Sequence, residues 1–237
     1  MARVNKSLVE YSGTIDGKVH YTRFGRTYAR DLPKQFKDCQ SGAQLRQRAL
    51  FKAMQHASAL FGSMLQRGLT QYAHSEGHTE ANEFARINKK HFSYVNGTVQ
   101  INYPVLLFAT GPLPIVDFTL CKAKGLHVEL AFDPYLDESK ARTDDVVHIY
   151  AVEPYVEVCL LMTSVERQTG RASFDLPDLS NELRGNNKAT FYLYAIVEAA
   201  NTALIPTLSA DEKQRHKSHR NINRRVSPSV FIGTIRP

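Results

Sequence analysis

Asp117-Phe-Thr-Leu-Cys-Lys-Ala-Lys-Gly125-Leu-His-Val-Glu-Leu-Ala-Phe132-Asp-Pro134 reads as two strands with their punctuation. Residues 117–122 and 126–132 are extended segments separated by Lys124-Gly125, and Asp133-Pro134 closes the second with a turn. The same texture continues over 146–151, 156–162, 171–176, 189–199 and 229–235, with Thr169-Gly170 as a further turn. About seven strands at this spacing predict an antiparallel β-sandwich of immunoglobulin or fibronectin type. One interval breaks the regularity. Ser209-Ala-Asp-Glu-Lys213-Gln-Arg-His-Lys217-Ser-His-Arg220-Asn-Ile-Asn-Arg224-Arg225 separates the last two strands and is far longer than a hairpin loop.

Upstream the pattern is helical. Ser41-Gly-Ala-Gln44 has the spacing of a capping box, in which the Ser41 hydroxyl and the Gln44 amide satisfy orphan N–H groups at a helix start. Leu50, Ala53/Met54, Ala57, Leu60/Phe61 and Met64/Leu65 then recur as the stripe of a helix burying one face, weakened in its second half by Gly62 and Gly68. A second helix starts at Thr79, with Phe84, Ile87 and His91/Phe92 inward and Arg86, Lys89 and Lys90 outward. Beyond Asn96-Gly97 the chain turns extended over 99–103 and 105–109, and Gly111-Pro112-Leu113-Pro114 marks a boundary. The expected fold is therefore α+β: a basic β-hairpin arm at 1–38, a helical region and connector at 39–114, and the sandwich at 115–237.

The arm centres on Gly13-Thr-Ile-Asp-Gly17-Lys18-Val-His-Tyr21-Thr-Arg23-Phe24-Gly25-Arg26-Thr-Tyr28-Ala-Arg30. The two-residue period puts Val19, Tyr21 and Arg23 on one face, with Lys18, His20, Thr22 and Phe24 on the other. Gly25 reverses the chain, and a short strand around 7–11 with Asp16-Gly17 as its turn completes a small meander. Neither face is cleanly apolar, so this sheet must rest on the helix, the body or another chain. Lys18, Arg23, Arg26, Arg30, Lys34 and Lys37, interleaved with Tyr21, Phe24, Tyr28 and Phe36, also make the cation-and-aromatic mixture that single-stranded nucleic acids favour. A third reading is a solvated charged edge that prevents unwanted strand pairing.

The net charge of +7 over 237 residues is unevenly spread. Residues 1–52 carry +7, 53–96 carry +1, 97–210 carry −6 and 211–237 carry +5. Two basic ends thus flank an acidic body, which suits contact with phosphates and equally suits a basic arm docking on a neighbour's acidic surface. At 43% hydrophobic content the chain can bury a core. The start leads into no apolar signal segment and no run approaches the roughly 18 apolar residues of a membrane span, so a cytoplasmic protein without membrane contact is expected. Three scattered cysteines, Cys39, Cys121 and Cys159, point to reduced and mostly buried thiols.

Four pieces in order resemble a known family: Gly13…Gly17-Lys18-Val19, Arg30-x-x-Pro33, Gln44-x-x-x-Arg48-x-x-Phe51, and Leu106-Leu-Phe-Ala-Thr-Gly111-Pro112-Leu113-Pro114. Together they are similar to a domain-of-unknown-function family common in Bacteroidota. The resemblance implies an N-terminal hairpin and helices before a fibronectin-like sandwich, in a bacterial or phage context, and it supplies no catalytic residue. His20-Tyr21 and the basic loop after Asp211 depart from the family pattern.

The sequence contains no G-x-S-x-G elbow, Walker loop, G-x-G-x-x-G or H-E-x-x-H. His74-x-x-x-His78 and His216-x-x-His219 lack cysteine or carboxylate partners at zinc spacing, and Asp137-Glu138 and Asp144-Asp145 read as solvated turn carboxylates. No catalytic residue, metal, cofactor or small-molecule substrate is assigned. Two expectations remain. The first is a non-enzymatic structural protein that self-associates into an oligomer, filament or phage-like assembly; the second is a nucleic-acid-binding protein. The residues carrying either are Lys18, Tyr21, Arg23, Phe24, Arg26, Tyr28, Arg30 and Lys34 of the arm, with Lys213, Arg215, Lys217, Arg220, Arg224 and Arg225 of the loop.

Overall fold

The computed structural model describes residues 2–4, 13–23, 26–32, 38–134, 141–179, 181–183, 189–200 and 225–237. The described residues of the arm form a four-stranded antiparallel sheet of β1 (Ala2–Val4), β2 (Gly13–Ile15), β3 (Lys18–Arg23) and β4 (Arg26–Asp31), in the order β1-β4-β3-β2. Asp16 and Gly17, both at positive φ (50° and 71°), form the tight reversal that matches the twist of the flanking strands. The strand preceding this turn is β2; the expected strand at 7–11 lies outside the described residues.

The capping box forms as its spacing predicts. The Gln44 N–H donates to Ser41 Oγ at 3.3 Å, and the Ser41 N–H donates to Gln44 Oε1 at 3.1 Å, starting α1 (Gly42–Leu60). The stripe then breaks at the two glycines into α2 (Gly62–Gly68) and α3 (Thr70–Ser75), while Met54, Ala57, Phe61, Met64 and Leu65 still share one buried face. Thr79 caps α4 (Glu80–Asn88) by accepting the Asn82 N–H, and Phe84 is fully buried. A hairpin follows, β5 (Phe92–Val95) and β6 (Thr98–Ile101). Residues 105–109, expected as a strand, are not one. Pro104 sits in a short 3-10 turn, and beyond it the chain is held by a side chain: Asn88 Nδ2 donates to Leu107 O and Asn88 Oδ1 accepts the Leu107 N–H, both at 2.8 Å. An amide pairing with backbone in this way satisfies the groups a strand neighbour would otherwise satisfy.

Seven further strands lie among the described residues: β7 (Asp117–Lys124), β8 (His127–Asp133), β9 (Val146–Glu153), β10 (Val158–Glu166), β11 (Arg171–Asp175), β12 (Phe191–Glu198) and β13 (Val230–Ile235). They form two antiparallel sheets, ordered β11-β8-β7 and β10-β9-β12-β13. Val128, Leu130, Phe132, Ala172 and Phe174 of the first sheet meet Val147, Ile149, Leu193, Ala195 and Val197 of the second in one buried cluster. The opposite face of β9 and β12 supplies Tyr150, Val152, Tyr194 and Ile196 to a second cluster with Phe61, Phe84 and Phe108. The layers are thus helices, four-stranded sheet and three-stranded sheet, an α+β arrangement. Central strands apolar on both faces are what a sheet covered on both sides requires.

This second cluster crosses the boundary expected at 114/115. Phe108 packs edge-on against Phe61 at 4.8 Å and against Tyr194 at 4.7 Å, and the Tyr194 hydroxyl donates to Tyr103 O at 2.6 Å. Gly111–Pro114 therefore runs within a continuous packed body, with the Leu113 N–H on Val226 O at 3.1 Å.

The cysteines differ from expectation. None of the three is in a disulfide, but Cys39 and Cys121 are exposed, and Cys159 is the half-buried one, its thiol pushed up to about 12 by burial. Alkylation follows thiolate fraction and access. Timed iodoacetamide labelling read by mass spectrometry should modify Cys39 first and Cys159 last; early labelling of Cys159 would contradict this packing.

Candidate assembly interface

Register assigns the arm's residues to faces. Val19 lies opposite Arg30, Tyr21 opposite Tyr28 and Arg23 opposite Arg26, while Thr14 neighbours Val19 and Arg3 neighbours Tyr28. Directly opposed residues of an antiparallel pair share a face, so Arg3, Arg23, Arg26 and Arg30 hold positions on the face of Tyr21 and Tyr28. The two tyrosine rings stack with centroids 5.4 Å apart and planes 18° from parallel. No carboxylate residue holds a position on this face among the arm's described strands. The other face carries Lys18 opposite Asp31, His20 opposite Ala29, and Thr22 opposite Thr27, whose hydroxyls are 3.3 Å apart. Lys18, exposed, is thus parted from the arginines. Phe24 and Lys34 lie outside the described residues.

Among the described residues neither buried cluster includes any part of the arm; their first member in the chain is Met54, with Leu50 packed alongside. Just before α1, the two carboxylate oxygens of Asp38 accept Arg48 Nη1 and Nη2 of that helix at 2.8 and 2.9 Å. That guanidinium, with the Gln40 N–H, holds the exposed Asp38 carboxyl below its ordinary range. The first turns of α1 are likewise uncovered, with Leu45 49% and Phe51 54% exposed.

Of the second basic segment only Arg225 is described; Lys213, Arg215, Lys217, Arg220 and Arg224 lie outside the described residues. Arg225 is exposed, and its carbonyl accepts the Ala199 N–H at 2.9 Å, fixing the end of the segment beside β12. Exposed carboxylates mark the three-stranded sheet. Asp117 lies opposite Asp133, and Asp175 meets His127 Nδ1 at 2.6 Å. Beside β11 a depression of about 610 Å³ is lined by Glu129, Val165, Thr169, Arg171 and Ser173.

Two polar constellations had no signal in the sequence. His148 on β9 contacts Ser164 Oγ of β10 through Nδ1 at 2.7 Å and Glu198 of β12 through Nε2 at 3.2 Å, while Arg67 of α2 donates to Glu198 at 3.0 Å. These residues come together only in the fold, and they pin α2 to the four-stranded sheet. The other corrects the reading of Asp144-Asp145. Asp144 pairs with Arg142 at the surface, but Asp145 is wholly buried beside the wholly buried Arg167, with Nε 3.6 Å from Oδ2. Arg167 also donates to Pro134 O at 2.9 Å and Pro114 O at 2.7 Å. Burial lowers its pKa, opposed by the attraction of Asp145.

No protein-family model, no curated protein and no solved structure matches the chain, so a reading of its function rests on its own residues.

Proposed function

We propose that this is a non-enzymatic structural protein that self-associates into an oligomer, filament or phage-like assembly, its basic arm docking on the acidic body of a second copy. One observation carries the reading: the arm is a sheet whose described residues belong to neither core. Strands of three to six residues without a buried face are not stable by themselves. The arm's charge opposes that of residues 97–210, and Tyr and Arg, the types that dominate its face, are those that most often carry binding energy at protein interfaces. For the body we read an immunoglobulin- or fibronectin-like sandwich. The order β11-β8-β7 facing β10-β9-β12-β13 supports it, since such folds set strands E, B and A against C, F and G. Membership of the Bacteroidota family resembled by the sequence is part of the same reading, as is a cytoplasmic setting. No described helix is long and apolar enough to cross a membrane.

Light scattering on size-exclusion eluates tests this. At tens of micromolar, roughly where a weak interface registers, the full chain should elute as a multimer and residues 39–237 as a monomer. Two monomers would end the reading. A second reading, binding of single-stranded nucleic acid, is favoured by one specific observation, the stacked Tyr21–Tyr28 pair on a face where no carboxylate residue holds a position among the described strands. It requires oligonucleotide binding that weakens steeply with salt; salt-insensitive or absent binding counts against it.

A further inference from the structure

We infer that the surface receiving the arm is the free edge of β10, and that the incoming element is β2 of a second copy, added as a strand; this rests on the self-association reading. Among the described residues β10 ends the four-stranded sheet, with β9 as its one sheet neighbour. An edge strand offers a row of N–H and C=O groups to any extended chain, and proteins usually blunt such edges with lysine, proline or a bulge. Val158-Cys-Leu-Leu-Met-Thr-Ser-Val-Glu166 has no lysine, arginine or proline. Its one blunting device is a register shift between Leu161 and Thr163. That shift leaves residues 158–161 as a regular open stretch of four, where Leu160 and Leu161 are 40% and 45% exposed, beside Tyr155 at 59%.

Charge selects the occupant. Glu157, exposed, and Glu166 bracket the strand, so two copies of β10 paired antiparallel about its middle would set Glu157 against Glu166, and like charges opposed in a sheet are destabilising. The exposed Leu45 and Phe51 of α1 stand among Arg46, Arg48 and Lys52, which would repel the arm. β2 fits the open stretch on both counts. It is three residues long, it ends the arm sheet among the described residues, and the sheet it leads carries Arg3, Lys18, Arg23, Arg26 and Arg30 against Asp16 and Asp31, so a net positive arm meets the acid-flanked edge. Addition there would also lay the arm beside Leu160 and Leu161.

Two measurements on the full chain test the inference. Replacing both exposed leucines, Leu160→Lys with Leu161→Lys, should weaken self-association at least about tenfold while circular dichroism and melting stay those of the parent. In a Cys39→Ser/Cys121→Ser/Cys159→Ala background, which leaves no native thiol, Thr14→Cys mixed with Leu160→Cys should form a covalent heterodimer under mild oxidation, and neither variant alone should do so. If the full chain assembles and residues 39–237 do not, yet the double-lysine chain assembles like its parent and no heterodimer forms, the β10 assignment is overturned and arm-driven assembly stands. If removing residues 1–38 leaves assembly unchanged, or the full chain is a monomer, both are overturned.

Discussion

Arg167→Ala should destabilise the body by about 3–5 kcal/mol, the usual cost of removing one partner from a buried ion pair. The expectation follows from what the side chain holds. Its guanidinium bonds the carbonyls of Pro114 and Pro134 and lies against Asp145, which also accepts the Arg142 N–H at 2.9 Å. Four separate segments therefore meet at one fully buried cation. Truncation leaves a buried carboxylate without its counter-charge and two carbonyls without their donor, in a place water does not reach. Melting should fall by about 10 °C or more. Arg167→Met/Asp145→Leu should regain part of the loss, because a buried pair replaced by apolar groups is often close to neutral. A single Arg167→Ala that melts like the parent would show that the cluster bears no weight.

Gly68→Ala and Gly111→Ala should each cost about 1–3 kcal/mol or more, the range for forcing atoms into a packed interior. A Cβ on Gly68 would lie 2.3 Å from Phe108 O, and one on Gly111 would lie 2.2 Å from Val226 O. Both neighbours are backbone and are themselves held: the Phe108 N–H bonds Ser229 Oγ, and Val226 O accepts the Leu113 N–H. Neither can give way without moving a whole segment. Gly62→Ala is the matched control. It lies within α2 with nothing near its missing Cβ, so alanine there should stabilise by about 0.5–1 kcal/mol through helix propensity. Chemical denaturation of the three variants reads the contrast directly, and equal effects at all three positions would refute it.

These cases also show which parts of the molecule were legible in the sequence. Signals confined to a few neighbouring residues read well: the Ser41–Gln44 box, the Asp16-Gly17 turn, the cap at Thr79 and most strand positions from Asp117 onward depend on local geometry. The face shared by Val19, Tyr21 and Arg23 follows from the two-residue period, and the partners opposite them follow from the pairing of Arg23 with Arg26. Contacts between distant segments did not read. Residues 105–109 have a strand's composition, but Asn88 supplies their hydrogen bonds, so the pattern misleads. Val146-Val-His-Ile-Tyr-Ala-Val152 is nearly continuous in apolar character, the mark of a strand covered on both faces, and that was the available clue that helices and sheet share a core. Arg167 looks like any surface cation, and its burial depends on carbonyls 33 and 53 residues away. Arg67, His148 and Glu198 meet across separations of 81 and 131 residues, for which a single sequence holds no sign.

The arm's role stands or falls with assembly itself. Sedimentation equilibrium of the full chain over a range of concentration and salt measures it most directly. Arm-driven assembly gives a weight-average mass that rises above the monomer with concentration and falls back as salt screens the arm from the acidic body. A monomer mass at every concentration in low salt would contradict it.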